Sequence, residues 1–329
     1  MTKITGINGF GRFGLHLLEY WLDRHADCGY RIDFINDDTL SLSQAFDSIR
    51  HDEYVRFERY RIAVEGEYLS ITGQDGLHHK ILYTHRPQDS IPWLGQPDIF
   101  FECSGKYTAK ERCLPYLKEK TRLVMVSATS WDADDTLVFG FNHEAFTPAK
   151  HKVISYGSCT VNGYVPLGHY MNERYGVVDS DVNVVHNIAP YRLAGHNTLQ
   201  RKFCTLEKSG PQLLPFLDPD KNYVVNYTVV PWTGVSMIDF RFRLQRPVNR
   251  DTFLADLDRA LDEGPLKGLY GMQVADVGPQ AHVCTPYSAV FIREGIKVHG
   301  DQVYLQSYFD TENSVNRFHD LVEHVCAKL

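Results

Sequence analysis

The sequence predicts an α/β protein with a doubly wound parallel sheet in its first part and an α+β domain after it. Three observations carry this expectation. Apolar strand-like runs alternate with helical periodicity along the first third of the chain. The first strand-to-helix turn is rich in glycine. Further on, half-buried alternating strands such as "VSMIDFRFRL" (235–244) fit one face of a mixed sheet.

The opening "KITGINGFGRFGLHLLEYWLDR" (3–24) begins with a short strand over 3–7. Gly9, Gly11 and Gly14 then form G-x-G-x-x-G, and a helix follows with Phe13, Leu17, Leu18, Trp21 and Leu22 on one face. In a Rossmann-type turn the first glycine permits the tight bend. The second lets backbone approach a pyrophosphate, and the third lets helix and strand pack closely. The helix N-terminus attracts that anion. Asn8, Gly9, Gly11, Arg12, Phe13 and Gly14 are therefore candidate cofactor residues. The second strand, "YRIDFINDD", ends in Asp37, which stands 37 − 14 = 23 residues after the third glycine. That is close to the spacing of a ribose-binding carboxylate. Such a carboxylate repels a 2′-phosphate, so NAD is expected over NADP. The alternative for Asp37 is a turn-forming Asn-Asp cluster at a strand end.

"PDIFFECSG" (97–105) reads as a buried strand. "TAKERCLPYLKE" reads as a helix that Pro115 must bend or shorten, and "RLVMVSAT" (122–129) as another strand. Ligands of open parallel sheets sit at the carboxyl ends of strands. Ser104, Gly105, Ser127 and Ala128 are thus cofactor-lining candidates, though each also suits an ordinary loop. Arg86 joins the cofactor set.

Hydrophobic residues make up 43% and charged ones 23%, as in ordinary globular proteins. A net charge of −7 argues against nucleic-acid or anionic-membrane partners. No apolar run approaches a membrane span, and the strand pattern begins at once, leaving no room for a signal peptide. The seven cysteines are scattered and include no CxxC pair, so neither a disulfide framework nor a metal is expected. A reducing, cytoplasmic setting fits.

"YGSCTVNG" (156–163) places Cys159 where a helix should open. A helix N-terminus or a nearby histidine activates a thiol, and His186 near the end of "SDVNVVHNI" is the candidate base. Alone, Cys159 also reads as a packed core thiol and His186 as a surface or core histidine.

Together these segments resemble the glyceraldehyde-3-phosphate dehydrogenase family over most of the chain. "INGFGRFG" is similar to its cofactor loop, "IND" to its ribose site, and "ECSG" to Glu-Ser-Thr-Gly. "VSA" (126–128), "SCTVN" and "VH" (185–186) follow in family order, as do "VVP" with "VSMIDF", "EGPLKG" and "SYFDTE". The interval 186 − 159 = 27 is also the family's. The resemblance implies a Rossmann-type domain over 1–158 completed by a C-terminal helix over 312–329, with an α+β catalytic domain over 159–311. It implies an NAD-dependent aldehyde dehydrogenase, phosphorylating, acting on a small anionic aldehyde. Cys159 would be the nucleophile and His186 the general base. Inorganic phosphate would be a co-substrate and a homotetramer the assembly. The alternatives are a non-phosphorylating or reductive enzyme of the same fold, and a catalytically idle NAD-binding regulatory protein.

Departures cluster where the substrate should sit. Ala189 and Tyr191 replace the family's Thr-x-Thr, Val229 stands where an arginine is common, and Thr311 replaces the asparagine that holds the nicotinamide amide. The family's Ser-Thr-Gly-Ala-Ala loop is not recognisable in "QRKFCTLEKSGPQLLPFLDPDKN" (200–222). Ser158 and Thr160 remain candidates for the phosphate site. Arg192 and Arg201, with Lys202 and Lys208, are candidates for a replacement anion site, or are simply solvated.

Overall fold

The computed structural model describes the chain except Met1, Ala189, His196, Thr233 and Asp310, and except the side chains of Pro190, Tyr191, Arg192, Thr311 and Glu312. Two units emerge. One comprises residues 1–137, 143–157 and 318–329; the other comprises 138–142 and 158–317.

The first unit holds β1 (Lys3–Asn8), β2 (Tyr30–Asn36), β3 (Tyr60–Glu65), β4 (Tyr68–Gly73), β5 (His78–Thr84), β6 (Ile99–Glu102), β7 (Leu123–Val126), β8 (Asp135–Thr136) and β9 (Val153–Ser155). They form one sheet in the order β3-β4-β5-β2-β1-β6-β7-β9-β8. Pairing is parallel from β5 through β8 and antiparallel at β3–β4 and β4–β5. The chain runs outward from β1 to β2 and returns to the other side of β1 as β6. The strand order therefore reverses between β1 and β6, where open α/β sheets bind ligands. Helix α1 (Arg12–Arg24) buries Phe13, Leu17, Leu18, Trp21 and Leu22, the residues whose spacing predicts its inner face. Helix α2 (Leu42–His51) starts at a capping box of Ser41 and Gln44. The helix expected over 108–119 is cut to α3 (Lys110–Cys113) followed by a 3₁₀ turn at Leu114–Tyr116, because Pro115 lacks an N–H to continue it.

The second unit carries β10 (Val177–His186), β11 (Gln200–Arg201), β12 (Tyr223–Val229), β13 (Ser236–Leu244), β14 (Tyr270–Gln273), β15 (Ala289–Ile292), β16 (Lys297–His299), β17 (Gln302–Leu305) and β18 (Ser307–Phe309). The main path is β11-β12-β10-β13-β18-β15-β14, with β17 pairing β13 and β16. The sheet is mixed, as expected: β10 lies parallel to β12 and antiparallel to β13. In β13 the odd turns of alternation are plain, with Ile238, Phe240 and Phe242 buried and Met237 exposed. Helices α4 (Cys159–Tyr175), α5 (Thr205–Leu213) and α6 (Arg250–Asp262) belong to this unit. On α4, Tyr164 stacks on Phe242 at 6.0 Å and its hydroxyl donates to Ser180 Oγ at 3.0 Å. Pro166 leaves the Asn162 carbonyl without its helical donor. The Tyr270 hydroxyl reaches that carbonyl at 3.4 Å and Gly163 O at 3.0 Å.

The last helix is α7 (Thr311–Lys328). Its predicted stripe of Val315, Phe318, Leu321, Val322 and Val325 is fully buried. Within the first unit, Phe318 packs edge-on against Phe13, Phe101 and Tyr156.

Candidate active site

The carboxyl ends of the first sheet lie in register. Asn8 pairs with Asn36 and Glu102, and Glu102 pairs with Val126. Gly9, Asp37, Cys103 and Ser127 consequently leave the sheet along one edge. Gly9 has φ +100°, and a Cβ there would strike the Ser104 backbone. The loops after β1 and β6 thus touch at the switch point only because residue 9 is glycine. A Cβ on Gly14 would strike the Gly9 carbonyl, whereas no described atom lies within 4 Å of a Cβ on Gly11. These are the tight turn, the close helix and the open approach that a dinucleotide cradle needs.

Several expected cofactor side chains prove to be engaged within this unit. The Asn8 amide donates to Glu102 Oε2 (2.8 Å) and accepts from Asn36 Nδ2 (2.9 Å). Burial pushes the Glu102 carboxyl up to about 6, against hydrogen bonds from Ser104, Asn8 and Tyr116 that favour its charge. Ser104 donates to Glu102 through both N and Oγ. Arg12 is ion-paired with Asp52, and Phe13 is buried against Phe318. Asn8, Arg12 and Phe13 therefore offer the cradle backbone and rigidity rather than side-chain tips. Arg86 clamps Asn36 through its backbone, donating at 3.2 Å and accepting at 3.0 Å, and its side chain is exposed. Gly105 has φ +67° and an open Cβ direction. Ser127 N donates to Glu102 O at 2.9 Å.

Asp37 accepts from Phe10 N at 2.7 Å through Oδ2, and from Thr39 N and Leu40 N at 2.7 Å through Oδ1. A carboxylate has about four lone-pair sites, so these three donors leave room for one more. Asp37 thus combines both readings of the sequence, as a turn residue that keeps an acceptor. Next to it, Lys106 Nζ lies 2.6 Å from Asp38. Burial alone would raise the Asp38 carboxyl, but hydrogen bonds from Lys106 and Thr39 hold it below its ordinary range.

In the second unit, Ser158 caps α4 by accepting from Val161 N at 3.3 Å, which makes Cys159 the first helical residue. His186 is the last residue of β10. The fold brings the two together: Cys159 Sγ lies 3.5 Å from His186 Nε2. His186 Nδ1 lies 2.9 Å from the Asn187 carbonyl. A carbonyl oxygen only accepts, so Nδ1 carries a proton, and the uncharged ring would present its Nε2 lone pair to the thiol. Asn187 is itself fixed, its N donating to Ser236 Oγ at 2.9 Å and its Nδ2 to Gly234 O at 2.5 Å. Tyr227 and Phe309 flank the imidazole, each with ring centroids 5.6 Å away.

Beside the thiol is a hydroxyl cluster. Ser158 Oγ lies 3.1 Å from Thr160 Oγ1 and 2.9 Å from Thr205 Oγ1, and Thr160 Oγ1 lies 3.5 Å from Cys204 Sγ. Thr205 opens α5, so two helix N-termini converge here, the arrangement that favours anions. Sequence reading missed Thr205. The available signal was a Cys-Thr pair ahead of a helical run with Glu207 at the capping position.

Arg201 lies on β11, which pairs with β12. Gln200 pairs with Val229, which pairs with His186, so these three share a sheet face. Arg201 pairs with Thr228, and strand alternation turns it to the opposite face. Val229 is buried at the His186 register. Lys202 and Lys208 are exposed. The side chains of Arg192, Tyr191 and Thr311, and the whole of Ala189, lie outside the described residues.

No protein-family model matches the chain. It is similar to "Glyceraldehyde-3-phosphate dehydrogenase" of Streptomyces coelicolor, 31% identical over 286 positions and covering 82% of each chain. It is 27% identical to "Glyceraldehyde-3-phosphate dehydrogenase 3" of Caenorhabditis elegans across 100% of both chains. It is 28% identical to "Glyceraldehyde-3-phosphate dehydrogenase, cytosolic" of Pisum sativum across 98% of both.

Proposed function

Since the chain belongs to the glyceraldehyde-3-phosphate dehydrogenase family, and is thereby an NAD-dependent oxidoreductase, we propose that it oxidises a small anionic aldehyde through a covalent intermediate on Cys159. One observation carries this reading: a thiol on the first residue of a helix, 3.5 Å from a histidine whose other nitrogen is held by a carbonyl. A helix N-terminus and an adjacent imidazolium both favour a thiolate.

We assign the dinucleotide to the first unit, at Gly9, Gly11, Gly14 and Asp37, with the loops of Ser104, Gly105 and Ser127 beside it. Bound there, NAD supplies a hydride acceptor. The aldehyde chemistry belongs to the second unit. His186 Nε2 takes the Cys159 thiol proton, the thiolate adds to the aldehyde carbon, and the imidazolium gives that proton to the former carbonyl oxygen, forming a thiohemiacetal. His186 Nε2 takes the hydroxyl proton as hydride leaves that carbon, and a thioester remains on sulfur. The Cys159 N–H at the helix start steadies the developing oxyanion. Phosphate, held by Ser158, Thr160 and Thr205 with Arg192 supplying charge, then attacks the thioester. Acyl phosphate leaves and the thiolate returns.

A second reading, in which water releases a carboxylic acid, is favoured by Val229. It puts an isopropyl group at the His186 register where the family commonly has arginine. An aldehyde panel run with NAD and with NADP, each with and without phosphate or arsenate, decides between the two. Absolute dependence on the anion supports phosphorolysis, and indifference to it supports hydrolysis. No turnover of any aldehyde would point to an idle NAD-binding protein.

We also propose a cytoplasmic homotetramer. All seven cysteines are free, as in a reducing compartment. No described helix is long and apolar enough to cross a membrane. Val178, Val224 and Met237 on the second sheet, with Leu199 and Phe203 nearby in the chain, expose apolar surface that a partner copy would cover. Light scattering that gives a monomer mass would remove the tetramer from this account.

A further inference from the structure

Three ligand-bearing side chains that are remote in sequence converge within the first unit. Cys28 lies in the turn between α1 and β2. His319 and Glu323 stand four residues apart on α7, the spacing that puts both on one helix face. One donor atom from each lies within 4.8 Å of the others. The neighbours hold two of the three in place. Tyr30 Oη lies 2.8 Å from His319 Nδ1, and Gly29 N donates to both Glu323 oxygens at 3.1 and 2.9 Å. His319 is buried, while Cys28 and Glu323 are partly exposed, which gives an ion a way in.

We propose that Cys28, His319 and Glu323 form a zinc site. Sequence reading expects no metal because the chain has no CxxC pair; here the ligands are assembled by folding instead. Thiolate, imidazole and carboxylate are the donors zinc takes, and its bond lengths place tetrahedral donors about 3.5 Å apart. The set must therefore close by roughly 1 Å from its present span, within the reach of side-chain torsions. Zinc takes cysteine as a thiolate, so binding displaces the Cys28 thiol proton to solvent. The six-coordinate aqua ion sheds five waters, gains one bond each to sulfur, nitrogen and oxygen, and keeps a water in the fourth position, with no change in oxidation state. One thiolate and one carboxylate balance its two charges. The ion would tie α7 to the α1–β2 turn. A second cluster, His143, Glu144 and His324, is less suited, because the Lys328 ammonium already sits 3.0 Å from Glu144.

The test is equilibrium dialysis of the reduced full-length chain against zinc, followed by elemental analysis, with cobalt(II) as the spectroscopic probe. One zinc per chain is expected, and the cobalt form should show a thiolate-to-cobalt charge-transfer band. Cys28→Ser should abolish the band and weaken zinc binding at least tenfold, whereas Cys159→Ser should keep both. Zinc should also raise the thermal midpoint of the wild-type chain but not that of Glu323→Gln, a readout that stands even if Cys28→Ser folds poorly. Substoichiometric zinc in the wild type would overturn the proposal. So would a cobalt band lost with Cys159→Ser and kept with Cys28→Ser, or zinc bound equally by all these variants.

Discussion

Thr205 Oγ1 lies 2.9 Å from Ser158 Oγ, joining the first turns of α5 and α4 beside the Cys159 thiol. The proposed anion site lies at these two helix starts rather than on Arg201. Thr205→Val should raise KM for phosphate, or for the anionic aldehyde, roughly tenfold to a hundredfold. That is the effect of losing one hydrogen bond to a charged group, about 1.5–3 kcal/mol. Arg201→Ala should change KM less than twofold, since alternation directs its side chain away from His186. Initial-rate kinetics on the two variants check both values, and the reverse ranking would show that Arg201 curls back into the site.

How much of this was legible depends on how far apart the partners lie. Gly9, Gly11, Gly14 and Asp37 sit within one strand-helix-strand unit, so local spacing reveals them. Cys159 and His186 were readable as residue types, but their contact exists only because α4 and β10 pack together. Thr205 was not readable, since its partner Ser158 is 47 residues away and no glycine marks the loop before it. The β3–β4 hairpin was also missed, though its alternation and the turn at Gly66, φ +63°, were present in the sequence. Asp37 shows the converse: spacing marked it for ribose, and only the structure adds its three backbone donors.

Cofactor selection should rest on Asp37, because the Lys106 ammonium offsets the neighbouring Asp38 charge. Asp37→Ala should therefore narrow the preference for NAD over NADP, while Asp38→Ala should change it little. Asp37→Ala should also cost stability, because the three N–H groups it accepts from lose a partner. The kcat/KM values for NAD and NADP, read beside thermal midpoints, separate the two effects. A wild-type enzyme that used both cofactors equally would contradict this assignment.

Substrate choice should differ from that of the named relatives. With Val229 at the His186 register and Ala189 and Tyr191 in place of two threonines, glyceraldehyde 3-phosphate should be a poor substrate. Its kcat/KM should fall orders of magnitude below about 10⁶ M⁻¹s⁻¹, a middling value for enzymes. Steady-state turnover near that figure would mean that other groups hold its phosphate.

Stability should depend on Glu19 on α1. Burial first, then Asp23, raise its carboxyl from 4.5 to about 7, against Arg24 and Arg59. A raised folded-state value means the protonated form is favoured on folding, so this contribution is complete below about pH 4.5 and is lost as pH climbs through about 7. The loss amounts to about 3 kcal/mol. Glu19→Gln should remove it, raising the thermal midpoint at pH 8 and leaving it almost unchanged at pH 4.5. Equal shifts at both pH values would show that Glu19 does not titrate in this window.

The covalent role of Cys159 is the centre of this account, and intact-protein mass spectrometry during turnover tests it most directly. With NAD and an aldehyde that the enzyme oxidises but no phosphate, the wild-type chain should gain the mass of one acyl group, mapped to Cys159 among the seven cysteines. The adduct should disappear when phosphate or arsenate is added. His186→Asn should accumulate it roughly 10²–10⁴-fold more slowly, and Cys159→Ala should show neither adduct nor turnover. Turnover by Cys159→Ala, or an acyl group on any other cysteine, would contradict the mechanism.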